Sequence, residues 1–102
     1  MDEVNRLNID RTGDGRFDVV GEIDAHSAPA LAAALEESTA DTIVVDMSGV
    51  TFMDSSGLRV LLALTERSSP SLRLAQPSRP IMRLLEVSGL VDHFDIVQSD
   101  AL

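Results

Sequence analysis

Cysteine, tyrosine and tryptophan are all absent from this chain, and three phenylalanines supply its whole aromatic content. Without cysteine there is no disulfide framework, no thiol nucleophile and no cysteine-based zinc site, a composition that fits a reducing compartment. With so few rings the chain lacks the stacking platforms on which proteins hold single-stranded nucleic acid. Basic residues are scarce too: 8 Lys and Arg against 17 Asp and Glu give a formal net charge of −9. That charge repels phosphate backbones and anionic headgroups, which argues against direct DNA binding. No apolar run approaches the roughly 20 residues that span a bilayer, and Met1 to Asn8 is polar and charged rather than signal-like. The expectation is a cytoplasmic protein without membrane insertion.

What is present suffices for one core. A chain of 102 residues with 44% hydrophobic content is a single domain by size, stable without staples. The expected domain is 1–102, with a core over about 5–97 and a frayed tail at 98–102. Leu7 and Ile9 alternate with polar neighbours, Gly13-Asp14-Gly15 follows, and Phe17, Val19 and Val20 resume, which predicts a hairpin. Ser27 is placed to cap a helix with Pro29 in its first turn and Leu31 and Leu35 on one face. Asp41 to Asp46 contains Ile43-Val44-Val45, a short continuous apolar run of the kind found in a strand buried on both faces. A mostly buried helix is predicted from about Ser56 to Arg67, with Leu58, Leu61 and Leu62 on one side and Arg59, Ala63, Glu66 and Arg67 as a polar stripe. Ser68-Ser69-Pro70-Ser71 breaks the chain, and Leu72 to Ala75 is a strand. Pro80 leads into a helix with Ile81, Leu84 and Leu85 inward, Gly89 ends it as a left-handed cap, and Phe94 to Val97 is a last strand.

The order β-β-α-β-α-β-α-β predicts an α/β fold, a mixed sheet of four to five strands with a parallel centre, packed by about three to four helices. The stretch IVVDMSGVTFMDSSGLRVLL, residues 43–62, is the most informative. In it an apolar strand leads to Asp54-Ser55-Ser56-Gly57 and then directly into an apolar helix. Asp or Ser at such a start accepts hydrogen bonds from unpaired backbone N–H groups, and an anion there is favoured by the helix dipole. Capping alone explains an Asp-Ser pair; accommodation of a phosphate is the second reading.

The run Thr51 to Leu58, between Ile43-Val44-Val45-Asp46 and Val60-Leu61-Leu62, resembles the STAS domain of bacterial anti-sigma factor antagonists. Gly21-Glu22-Ile23-Asp24 with Ser27 to Leu31 is similar to that family's segment entering its first helix, and Pro80 to Leu90 to its third-helix segment. The resemblance covers nearly the whole chain. It departs at Arg59, where many relatives carry a small residue, and at Arg67 to Leu72, which is short for the family. The resemblance implies a switch without catalytic activity or cofactor. Its unphosphorylated form would bind an anti-sigma factor that is also a serine kinase and so free a sigma factor. Phosphorylation of Ser55 would end the binding, and a metal-dependent, PP2C-like serine phosphatase would reset it. Asp24 and Asp54 would support the acceptor serine, with Asp24 read equally as a turn or cap residue. Ser56, Gly57, Met53, Leu58 and Arg59 would border the partner surface, although apolar side chains placed like Met53 and Leu58 are more often core, and Ser56 reads first as a first-turn helix residue with a capping or packing role. The expected state is a monomer or weak dimer. The alternative is a STAS regulatory subunit of a membrane lipid-transport ATPase complex.

Enzymatic readings find little support. Ser55 lacks a Gly-x-Ser-x-Gly elbow, His26 and His93 have no triad setting, and two histidines make no convincing metal site. No Walker-type phosphate loop occurs in the sequence.

Overall fold

The computed structural model describes residues 7–98. The expected core start at Asn5 and the tail beyond Gln98 lie outside the described residues. Strands β1 (Leu7–Gly13), β2 (Arg16–Ile23), β3 (Thr42–Met53), β4 (Ser71–Ala75) and β5 (Asp95–Val97) form one sheet in the order β1-β2-β3-β4-β5. β1 and β2 are antiparallel, and every later pair is parallel. The crossovers are α1 (Ala28–Glu36), α2 (Ser55–Thr65) and α3 (Arg79–Val87), the last followed by a short 3-10 turn at Val91–His93. The α/β class, the five strands and the parallel centre are as the sequence predicts.

In the hairpin, Asp14-Gly15 makes the turn, and Arg11 pairs with Asp14 at 2.6 Å while lying over the Phe17 ring at 5.6 Å. Phe17 and Val19 are buried on β2, and Ile43, Val45 and Met47 on β3. Val44, between them, is only half-buried. The reading of β3 as buried on both faces is therefore corrected. One face of the sheet carries the helices, and the other holds Arg16 between Asp18 and Asp46, with Arg73 paired to Asp95 at 3.1 Å. An exposed pair such as Arg73–Asp95 contributes about 0–1 kcal/mol. Burying one Leu or Ile side chain contributes about 1.5–3 kcal/mol, so stability resides in the covered face.

α1 packs on α2, α2 on β3 and β4, and α3 on β3. Leu31 and Leu35 of α1, Leu58, Leu61 and Leu64 of α2, and Ile81 and Leu85 of α3 enter the core at helical spacing. Leu62 and Leu84, expected inward, are half-buried at the margins of these stripes. α3 ends in a Schellman motif: Leu90 N–H donates to the Leu85 carbonyl at 2.8 Å and Gly89 N–H to that of Glu86 at 3.2 Å. Gly89 takes φ +77°, which glycine adopts without a Cβ penalty.

The strand expected over Asp41–Asp46 runs instead to Met53, through Ser48-Gly49. The β2–β3 register shifts between Asp18 and Val20 and again between Gly21 and Glu22, so β3 stays paired past its polar interruption. At the far end Ile23 pairs with Met53. Gly57, in the first turn of α2, sits against both: a Cβ there would lie 2.6 Å from Met53 Cγ and 2.7 Å from Ile23 Cγ2. Gly57→Ala is expected to lower stability by about 1 kcal/mol, because overpacking costs about 1–3 kcal/mol and helix propensity returns about 1 kcal/mol. Chemical denaturation with amide shifts at Ile23 and Met53 checks it; an unchanged or raised midpoint would contradict this packing.

Candidate functional site

β3 is the middle strand, and the sequence leaves it at Met53 to enter α2 with Asp54 alone between them. Asp54 adopts an extended backbone as the N-cap, and its Oδ1 accepts from Ser56 N–H at 2.8 Å. Its carbonyl accepts from Gly57 and Leu58 N–H at 3.1 and 3.2 Å. Asp54 N–H donates to the Ile23 carbonyl at 3.1 Å, extending the β2–β3 pairing by one step into the turn.

Ser55 is therefore the first residue of α2, at the carboxyl end of the central strand, where ligands and partners of α/β sheets meet the backbone. It is exposed, and among the described residues its hydroxyl makes no hydrogen bond. Ser56 is half-buried, with its N–H committed to the Asp54 cap. One turn on, Arg59 is exposed on the same helix.

Asp24 follows Ile23 just as Asp54 follows Met53, so the two acids leave adjacent parallel strands at one edge. Its carboxylate, however, is engaged within its own loop. Oδ1 accepts from the backbone N–H of Ser27 and of His26, both at 3.0 Å, and lies 3.1 Å from the Ser27 hydroxyl. The Ser27 N–H first, then the Ser27 hydroxyl and the His26 N–H, hold the Asp24 carboxyl below the usual carboxylate range. Asp24 makes no hydrogen bond to Ser55 among the described residues; the turn reading describes its contacts.

Ser27 corrects a second expectation. It occupies the N-cap position of α1, but its side chain makes no cap hydrogen bond. The hydroxyl reaches back to the Glu22 carbonyl at 2.9 Å and accepts from Asp24 N–H at 3.0 Å. Ser78, at the N-cap of α3, likewise sends its hydroxyl to the Val50 carbonyl.

Met53 and Leu58, named for the partner surface, are 5% and 9% exposed and belong to the core. Chain direction explains this: Met53 ends the buried row of β3, and Leu58 begins the buried stripe of α2. Their neighbour Phe52 does face outward, 48% exposed. With Pro80, Arg83, Leu84 and Val87 of α3 it lines a shallow groove of about 310 Å³. Strand parity next to a buried Met53 is the sequence signal that marks Phe52. His26 and His93 are exposed, and among the described residues no three His, Asp or Glu side chains gather to hold a metal. Among the same residues no helix is long and apolar enough to cross a membrane.

Ser27→Ala is expected to raise the Asp24 carboxyl pKa without fully restoring it, since the two backbone donors remain. Because the folded chain holds this carboxyl below its ordinary 3.8, the turn's contribution is complete above that pH. It is lost as the pH falls through the lower folded value. Carboxyl-detected NMR titration of Asp24 checks both statements, and an unmoved midpoint in Ser27→Ala would count against this turn.

The comparisons agree with the geometry. The family model described as "STAS domain" matches residues 8–101. The anti-sigma-B factor antagonist of Bacillus subtilis is 33% identical over 99 residues, covering 88% of this chain and 90% of that protein. The anti-sigma-F factor antagonist RsfB of Mycobacterium tuberculosis is 33% identical over 81 residues, covering 76% and 66%. Among solved structures, an anti-sigma factor antagonist from Mycobacterium paratuberculosis superposes with a TM-score of 0.75 at 27% identity, covering 92% of this chain and 86% of that one. SpoIIAA in its unphosphorylated form shares the fold, with a TM-score of 0.67 at 21% identity over 89% of this chain and 87% of that one. With a domain match over nearly its full length, and relatives a third identical across most of theirs, this chain belongs to the STAS domain family.

Proposed function

We propose that this chain is an anti-sigma factor antagonist, a cytoplasmic binding switch without catalysis of its own. Its unphosphorylated form binds an anti-sigma factor with serine kinase activity and thereby releases a sigma factor. The observation that carries this reading is Ser55: an exposed hydroxyl with no hydrogen bond among the described residues, held on a capped turn at the end of the central strand. The names of the relatives support the partner class. Exposed Arg59, four residues after the serine, and the groove at Phe52, three residues before it, supply contact surface. The kinase brings its own ATP, and a PP2C-like phosphatase returns the chain to its binding form.

Modification adds about −1.5 to −2 charges and several acceptor oxygens. Asp54 repels this charge and the start of α2 attracts it, so the two local effects oppose each other. The Ser55 hydroxyl has no hydrogen bond to lose within the described fold. The switch therefore acts at the interface, where an unpaired phosphate would have to be desolvated at a cost of several kcal/mol.

Incubation with the partner kinase and ATP is expected to add one phosphate, at Ser55. Ser55→Ala is expected to abolish labelling and retain binding, because it removes a hydroxyl without adding charge. Mass spectrometry with a binding assay checks this, and labelling of Ser55→Ala at Ser56 would overturn the assignment. Phosphorylation is expected to weaken partner binding tenfold or more, roughly 1.4 kcal/mol, while amide shift changes stay within the loops around Asp24 and Ser55. Shift changes spreading through α1 and α3 would instead mean a conformational switch.

A further inference from the structure

Arg59 stands four residues after Ser55 on α2, so the two side chains share one face of the helix about 5–6 Å apart at their Cβ atoms. Both are exposed, and among the described residues Arg59 makes neither an ion pair nor a side-chain hydrogen bond. The other arginine of this segment, Arg67 beyond the end of α2, is paired with Glu36 of α1 at 3.6 Å. Arg59 is thus an uncommitted cation one turn from the hydroxyl, in the favourable order with the acid nearer the helix start. A guanidinium presents a planar fork of donors that matches two phosphate oxygens.

We propose that Arg59 is the intramolecular counter-charge of phosphorylated Ser55, folding back along α2 to pair with the phosphate. This rests on the reading of Ser55 as phosphoacceptor and adds the regulation of that site. Phosphorylation then changes the surface twice, introducing an anion and withdrawing a cation from the same patch. A partner that meets Arg59 in the unmodified protein loses that contact at the moment it meets the phosphate. The pairing also gives the modified chain a stabilised phosphate form that an uncharged side chain at this position cannot provide.

The test uses full-length chain carrying genetically encoded phosphoserine at position 55, so no kinase is needed. It compares Arg59, Arg59→Gln and Arg59→Lys. Phosphorus-31 titration is expected to place the second phosphate ionisation lower by about 0.15–0.4 pH unit in the Arg59 protein than in Arg59→Gln. Arg59→Lys is expected to restore part of the difference, and 1 M salt to reduce it. The charged groups contributed by neighbouring segments, Asp24 and His26 from the β2–α1 loop, Arg79 at the start of α3 and Arg83 in the Phe52 groove, together with Asp54 of the same turn, are common to all three proteins and cancel in the comparison. The Arg59 Nε–H resonance is expected to move when Ser55 is phosphorylated. Equal ionisation in the Arg59 and Arg59→Gln proteins, with an unmoved Nε–H resonance, would overturn the pairing. The phosphoacceptor reading is judged separately, by whether the kinase labels Ser55 of the native chain.

Discussion

One backbone hydrogen bond, from Asp54 N–H to the Ile23 carbonyl, ties the end of β2 to the start of α2. It extends the parallel pairing past the last strand residues, so Asp24 and Asp54 leave the sheet side by side. Gly57 lets the helix settle onto Ile23 and Met53 beneath that bond. Remove the close approach, and α2 must tilt or lift, carrying Ser55 and Arg59 with it. The position of the exposed hydroxyl is therefore set by buried packing one turn away from it.

The strands leading there are irregular, and the irregularities are put to use. A register shift leaves main-chain groups out of step with the neighbouring strand, and buried carbonyls need donors. Ser27 supplies one to Glu22 beside the Gly21/Glu22 shift, and Ser78 supplies one to Val50 after the β3 irregularity. Each serine stands at the entry to a helix, so each fastens a crossover to the sheet close to where its ladder slips. Gly21 carries φ +118° at one of these points, a conformation that a side chain disfavours.

The periodic features of the fold were legible in the sequence because they are local: the hairpin, three helices with apolar stripes, and the glycine cap at Gly89. The helix-starting turn at Asp54-Ser55-Ser56-Gly57 was legible for the same reason, since capping preferences act within three residues. Other features depend on atoms distant in sequence. Ile43-Val44-Val45 reads as doubly buried, yet whether Val44 is covered depends on which face the helices take. Ser27 looks like a cap because its nearest unsatisfied N–H groups lie ahead, whereas the acceptor it uses lies behind, on β2. Met53 and Phe52 are neighbours whose exposure is decided by strand parity, and that parity points to Phe52 only once Met53 is known to be buried. Asp24 was singled out by family likeness, while its hydrogen bonds lie in its own turn.

Four serines stand at or beside the starts of the three helices, and the fold treats the hydroxyls of Ser27, Ser78 and Ser55 unequally. Ser27 and Ser78 have theirs engaged to strand carbonyls, while Ser55 has none engaged among the described residues. A modifying enzyme must draw the target hydroxyl into its own active site. At Ser27 or Ser78 that first means unfastening a helix from the sheet; at Ser55 it requires no unfastening. Modification at Ser55 would therefore leave both of those fastenings in place, whereas modification at Ser27 or Ser78 would release one.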